Sequence, residues 1–358
     1  MSLSRWISAD TEFVDFADPV ALEFGGVLPR VRVAYRTWGR PRPNATLVCH
    51  ALTGSADADD WWAGLFGPGR ALDPDEDFVV CVNVLGGCYG TTGPTSRPPG
   101  RFEPYGAQFP AVTIRDLVHM QARLLDHLHV DTLDLVVGGS MGAMQVLEWA
   151  LLYPERVRAI APIAAGPTQS AWAIALSEAQ RQAIIADPGY AGGEYRLGAG
   201  PADGLAAARS MAMISYRSPH NFETRFDRRK AESGDFDVQS YLKYQGAKLV
   251  DRFDANTYLT LIDAMDTHDV GRDRTSVTDA LAAIDQPALV MSISSDGLYP
   301  AGEVAAMARQ LSNSELIEID AREGHDSFLI EVEEINRHLA DFITRHGLKP
   351  RLVSAVGE

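Results

Sequence analysis

Apolar and polar positions divide this chain into two textures. In the first, short apolar runs recur between helix-spaced segments. Residues 31–37 alternate, 45–50 and 78–84 are short apolar runs, and 133–137 and 157–165 are apolar again, so each is predicted as a strand. Residues 113–128 carry Ile114, Leu117, Val118, Leu124, Leu125 and Leu128 at helical spacing, the pattern of a surface helix with one buried face, and 141–152 resumes it. Strand, helix and strand in close succession imply a parallel sheet with crossover connections.

The second texture begins near residue 166, where strand-like runs vanish. Helical patterns at 171–186, 205–216, 238–253 and 257–265 alternate with Gly- and Pro-rich breaks such as 189–201. Beyond them a strand at 288–293, a helix at 303–311, a strand at 315–319 and a helix at 331–346 restore the first pattern. The prediction is an α/β core over 1–165 and 276–358, interrupted by a helical cap over 166–275. Such a cap would close over the carboxyl ends of the strands, where open α/β sheets bind ligands.

Composition narrows the function classes. With 46% hydrophobic and 22% charged residues the chain can bury a sizeable core, which excludes disorder at domain scale. A net charge of −16 argues against nucleic acid and anionic membrane surfaces as partners. An anionic substrate would then need a local basic patch. No apolar run is long enough to span a bilayer, and residues 1–10 lack the apolar region and cleavage site of a signal peptide. Cys49, Cys81 and Cys88 have no zinc spacing; they are expected to be reduced thiols of a cytoplasmic protein with no metal site.

The strongest chemical signal is Gly138-Gly139-Ser140-Met141-Gly142, a G-x-S-x-G between an apolar strand and a helix. A tight strand-to-helix turn lifts the serine hydroxyl clear of the sheet at a helix N-terminus, where negative charge is favoured. The plainer alternative is a glycine-rich turn with a helix-capping serine; the flanking strand and helix favour the elbow. A nucleophilic serine needs a base and an orienting acid, which in this arrangement follow in the order acid, then histidine. Asp296 follows the strand at 288–293, and His325 follows the strand at 315–319, so both fall on loops at the strands' carboxyl ends. The other histidines precede the serine, lie on or beside a surface helix or in the cap, or sit near the C-terminus. A tetrahedral oxyanion needs two amide donors: Met141, after the nucleophile, and Leu52, in the loop His50-Ala51-Leu52-Thr53-Gly54. A simple glycine-containing turn stands as the alternative for that loop.

These residues resemble the homoserine O-acetyltransferase family of α/β-hydrolase-fold enzymes. The resemblance is carried by the 50–54 loop, by Asn83-Val84-Leu85-Gly86-Gly87-Cys88 followed by Gly90-Thr91-Thr92-Gly93-Pro94, and by Thr113-Ile114-Arg115-Asp116. The elbow run into Gln145, the stretch Met265-Asp266-Thr267-His268-Asp269-Val270-Gly271-Arg272 and the closing Gly324-His325-Asp326-Ser327-Phe328-Leu329 complete it. It implies an α/β-hydrolase fold with a catalytic triad of Ser140, Asp296 and His325. It implies a homoserine site made by Arg209, Tyr216 and Asp326, and the residues fit. Arg209 and Tyr216 are two helical turns apart and share a face, the guanidinium can grip a carboxylate, and Asp326 can pair with an ammonium.

The expected reaction is ping-pong transfer of acetyl from acetyl-CoA to L-homoserine, with no permanently bound cofactor. The resemblance also suggests a homodimer through exposed apolar cap helices. Arg225, Arg228, Arg229 and Lys230 offer cations for CoA phosphates, with a solvated charge run as the alternative. Succinyl transfer, a serine acceptor and an esterase with the same triad stay open at the level of sequence, as does a catalytically dead binding protein on the same fold.

Overall fold

A computed structural model describes residues 7–232 and 234–348; residues 1–6, which hold most of the N-terminal stretch discussed above, and 349–358, the end of the expected core, lie outside it. The strands are β1 (Glu12–Phe16), β2 (Val20–Ala21), β3 (Val27–Leu28), β4 (Val31–Trp38), β5 (Asn44–Cys49), β6 (Val79–Val82), β7 (Thr132–Gly139), β8 (Ile160–Ile163), β9 (Ala288–Ile293) and β10 (Ser314–Ile319). Eight of them form one sheet in the order β1-β4-β6-β5-β7-β8-β9-β10. β4 is antiparallel to both β1 and β6, and the pairs from β6 through β5, β7, β8 and β9 to β10 are parallel. The expected mostly parallel sheet is therefore present, with an antiparallel edge.

The parallel strands read as unbroken apolar runs because both faces are covered. In β9, Leu289, Met291 and Ile293 point into one layer and Ala288 and Val290 into the other. On one face pack α2 (Ile114–His127) and α3 (Met141–Leu152), which bury Leu117, Val118, Met144 and Leu147. On the other, α12 (Val332–Arg345) buries Ile335, Leu339, Phe342 and Ile343 against Trp62 and Leu65, each such side chain contributing about 1.5–3 kcal/mol of transfer free energy. Short helices α1 (Ala58–Trp61), α9 (Val277–Ala282), α10 (Ala301–Ala308) and α11 (Ser327–Ile330) complete the two layers.

Between β8 and α9 lie, among the described residues, five α-helices: α4 (Ala171–Ala186), α5 (Ala202–Tyr216), α6 (Pro219–Phe226), α7 (Asp237–Val250) and α8 (Ala255–Asp266). Named strands are absent from this segment among the described residues. Its entry and exit are joined: Thr168 bridges Asp269, the Gln169 amide donates to the His268 carbonyl at 3.0 Å, and the Val270 amide donates to the Pro167 carbonyl at 3.0 Å.

Two of the sequence signatures turn out to hold this junction together. Thr113 and Asp116 form a reciprocal cap on α2, a device worth about 1 kcal/mol. Between them, buried Arg115 donates to Glu148 (3.2 Å) and Glu23 (2.9 Å) and to the backbone carbonyls of Asp269 and Arg272. Arg272 in turn pairs with Glu23 at 2.8 Å. The guanidinium of a core helix and the end of the helical segment thus share one acid. Removing either arginine would leave Glu23 with one cationic partner in place of two.

Candidate active site

The turn from β7 into α3 has an unusual backbone. Ser140 has φ 56° and ψ −126°, a conformation that costs a non-glycine residue of order 1–3 kcal/mol and persists only when its surroundings enforce it. The surroundings are close: a Cβ on Gly142 would lie 2.1 Å from the Cys49 carbonyl oxygen, so that position admits glycine alone. The Ser140 amide donates to the Ile163 carbonyl at 3.0 Å, which ties the turn to the end of β8.

His325 and Asp296 meet this serine. The His325 Nδ1–H donates to Asp296 Oδ2 at 2.7 Å, and the Ser140 Oγ–H donates to His325 Nε2 at 2.9 Å. The tautomer follows from the carboxylate, which can only accept. Asp296 Oδ1 is also occupied, accepting from the amides of Leu298 (2.8 Å) and Tyr299 (2.9 Å), so the carboxylate cannot rotate away. Burial works against charging His325, but the charge and hydrogen bond of Asp296, with the charge of Asp326, outweigh it and raise its pKa above the ordinary value. The rings of Tyr216, Tyr299 and Phe328 flank the imidazole at centroid distances of 5.6, 5.4 and 5.4 Å. Ser140 is 6% exposed and His325 2%, so bulk water is largely excluded.

The sequence-predicted oxyanion donors stand on adjoining elements. Cys49 at the end of β5 pairs in register with Gly138 of β7, which places the 50–54 loop beside the turn that carries Ser140 and Met141. Three groups that the sequence reading gave no role hold that loop in place. His50 donates from Nδ1 to the Ala51 carbonyl at 2.8 Å and accepts the Val84 amide on Nε2 at 3.2 Å. Burial pushes its pKa down to about 4, so the ring is a neutral brace. Gln145 donates to the carbonyls of His50 (3.2 Å) and Met141 (3.1 Å), bonding loop to helix, and Gln121 and Trp149 extend the chain of bonds behind it. Arg252, from the loop after α7, donates to the Thr53 carbonyl at 2.8 Å and to the Tyr89 hydroxyl. The signal for Gln145 was present, as an amide in a largely apolar helical run four residues past Met141; nothing local marked Arg252.

Arg209 and Tyr216 lie on α5 as expected, with the guanidinium carbon 5.5 Å from the ring centroid. The Asp326 amide donates to the Tyr216 carbonyl at 3.0 Å. Gly324 allows this docking: its φ is +84°, and a Cβ there would lie 2.5 Å from the Ser218 amide nitrogen. The Asp326 carboxylate also has a partner that the sequence reading did not name, Arg217 at 3.2 Å. Burial raises the Asp326 pKa, with Arg217, His325 and Arg209 opposing. The run at 225–230 is not a free cluster. Arg225 sits over the rings of Phe226 and Tyr241, Arg228 and Lys230 over Phe236, and Arg229 pairs with Asp237 at 3.6 Å.

Among the described residues there is no group of three or more His, Cys, Asp or Glu side chains placed to hold a metal ion, and no helix long and apolar enough to cross a membrane. The three cysteines are unpaired and buried.

A family model for the α/β hydrolase fold matches residues 45–332. A homoserine O-acetyltransferase of Trichormus variabilis is 53% identical over 355 residues, covering 98% of each chain. The chain belongs to the homoserine O-acetyltransferase family. It is an enzyme of the α/β-hydrolase fold. Among solved structures, a homoserine O-acetyltransferase from Bacillus anthracis superposes with a TM-score of 0.87 at 24% identity, covering 94% of this chain and 99% of its own. An acetylester hydrolase from Corynebacterium glutamicum superposes with a TM-score of 0.83 at 27% identity, covering 93% and 96%. Backbone likeness therefore does not separate transferases from hydrolases here, and the family assignment comes from sequence identity over the full length.

Proposed function

We propose that this enzyme moves an acetyl group from acetyl-CoA to the side-chain hydroxyl of L-homoserine through an acetyl-Ser140 intermediate, an early step from homoserine toward methionine. The observation that carries the reading is the bonded series Ser140, His325, Asp296 with Arg209, Tyr216 and Asp326 gathered beside its imidazole. The names of the relatives support the acyl acceptor and the acetyl group.

The bonded series Ser140, His325 and Asp296 supports the following steps. His325 Nε2 takes the Ser140 proton as Oγ attacks the thioester carbon, and the amides of Met141 and Leu52 receive the oxyanion. The C–S bond breaks, and the thiolate leaves as CoA thiol with the proton from His325. Homoserine enters with its carboxylate on Arg209 and its ammonium toward Asp326. His325 removes the hydroxyl proton, the oxygen attacks the acetyl carbon, and Ser140 recovers its proton as the ester departs. Oriented alcohol competes with water through effective molarity, and the inserted helices act as the cap that limits water.

A hydrolase has one observation in its favour, the acetylester hydrolase that shares the fold. Incubation with acetyl-CoA, with and without homoserine, separates the two. Acetylhomoserine with little CoA release in the absence of acceptor supports the transferase; equal CoA release without acceptor sinks it. Mixtures of acetyl- and succinyl-CoA with homoserine and serine, analysed by product mass, decide donor and acceptor. Trp172, Ile174 and Ile185 on α4, Ile214 on α5 and Tyr244 on α7 are exposed, which supports a homodimer through these helices; a monomer mass by light scattering would refute it. Buried unpaired thiols support a cytoplasmic location.

A further inference from the structure

A cavity of about 460 Å³ opens beside the 50–54 loop, and its lining runs against the charge of the whole molecule. Ala51, Thr53 and Gly54 of that loop form one wall, and Leu329, four residues past His325, forms another. Arg209, Lys248 and Arg252 all line it, in a chain whose net charge is −16. None of the three has a carboxylate within ion-pair distance among the described residues. Two acids share the lining, Asp57 and Asp60. Asp57 is paired with Arg36 at 3.0 Å, which it shares with Asp59 and Asp10.

The three cations are not equivalent. Arg252 is committed to the Thr53 carbonyl and the Tyr89 hydroxyl. Arg209 stands over Tyr216 beside the imidazole, where the reading above gives it the acceptor's carboxylate. Lys248 is exposed, near the end of α7, and has no hydrogen-bond partner among the described residues. A strongly hydrated, mobile ammonium at a cavity mouth suits a phosphate as a point charge. Trp61 supplies an apolar wall, its indole N–H already bonded to the Ser55 carbonyl at 3.0 Å.

We infer that this cavity receives the pantetheine arm of the acyl-CoA donor, with Lys248 at its mouth as the anchor for the donor's phosphates. The inference rests on the acyl-CoA reading above. The arm spans about thirteen bonds from sulfur to phosphorus, the reach of roughly four extended residues or ~15 Å. The volume lies in the lower half of the range for drug-sized ligands, roughly 300–1,000 Å³, which leaves room for a linear amide arm and puts the nucleotide outside. The run at 225–230, whose cations rest on rings or on Asp237, is then surplus to donor binding.

The test compares two donors, acetyl-CoA and acetyl-pantetheine, which lacks phosphate, with the unaltered enzyme, Lys248→Glu and Lys248→Arg. In Lys248→Glu the KM for acetyl-CoA rises roughly ten-fold, the rise shrinks in high salt, and Lys248→Arg restores it. The KM for acetyl-pantetheine shifts far less. An unchanged KM for acetyl-CoA, or equal rises for both donors, overturns the anchor and leaves the transferase reading standing. Failure of the unaltered enzyme to transfer acetyl from either donor overturns both. Calorimetric titration with CoA makes the comparison without turnover; equal dissociation constants for the unaltered enzyme and Lys248→Glu also overturn the anchor.

Discussion

The backbone amide of Asp326 donates to the carbonyl of Tyr216 at 3.0 Å, so the loop that carries the His325 imidazole is bonded directly to the helix that carries Arg209. The groups proposed to hold substrate and those proposed to transfer protons are therefore joined through the backbone, and their contributions can be separated by kinetics. Arg209→Lys loses two-pronged carboxylate recognition, and Asp326→Asn loses the charge facing the ammonium. In each variant the KM for homoserine rises by about ten-fold or more, while the first half-reaction, read as the burst of CoA from acetyl-CoA alone, stays within two-fold. A burst lost in parallel with homoserine affinity would show that these residues serve the triad and not the acceptor.

Asp296 fixes the His325 tautomer and also raises its pKa. Asp296→Asn lowers kcat by about four orders of magnitude, as loss of the orienting carboxylate does in serine triads generally. The pH profile carries the sign. Because His325 is raised above its ordinary 6.5, and only its neutral form can take the serine proton, kcat/KM falls as pH drops through a limb above 6.5. In Asp296→Asn that limb moves to lower pH. A limb that stays put would assign it to another group.

Much of this arrangement was legible before any coordinates. The strands at 133–137 and 288–293 are apolar because both faces are covered, and such runs are readable in one dimension. The bonded series of Ser140, His325 and Asp296 was legible because its chain order and its places after strands are set by the fold. β1 was not: it is an edge strand with no fully buried residue, so its alternation at Phe13, Val14 and Phe16 stays faint. α6 was missed because its eight residues bury only Phe226, which leaves too little apolar pattern to read. The expected strand at 157–165 shrank to Ile160–Ile163, since Pro154–Arg156 is a 3-10 turn and Ala164 takes a positive φ. Arg252 and Arg217 were invisible for another reason. Their roles depend on which distant loops they touch, and no local spacing records that.

Gln145 gives a test of the loop-bracing argument. Gln145→Leu keeps the helix but leaves the His50 carbonyl and the Gln121 amide without their buried partner, at a cost of about 1–3 kcal/mol. Thermal unfolding should shift down accordingly. If Gln145 positions the 50–54 loop for the oxyanion, kcat falls as well, with the KM for homoserine little changed. A stability loss with unaltered kcat would limit Gln145 to packing.

Acid sensitivity should trace in part to histidines far from the chemistry. Burial pushes His50 down to about 4 and His268 to about 3. Both are neutral in the fold and protonate in the unfolded chain once pH falls below about 6.5. The unfolded state then binds more protons, so stability declines as pH falls from 6.5 toward those lower values. His268 Nε2 has no hydrogen-bond partner among the described residues, so His268→Leu creates no new orphan there. Denaturant unfolding at pH 6.5 and 5 should show a shallower pH slope for this variant than for the unaltered enzyme; an equal slope would mean that His268 is not the buried neutral group described.

Transfer through the serine is the claim on which the rest depends. Rapid quenching after mixing with acetyl-CoA, followed by peptide mass spectrometry, reads it directly. The account predicts one acetyl group on the peptide bearing Ser140, formed at the rate of the CoA burst, lost on addition of homoserine, and absent in Ser140→Ala. Acetylhomoserine formed at an undiminished rate by Ser140→Ala, with no acetylated peptide in the unaltered enzyme, would contradict it.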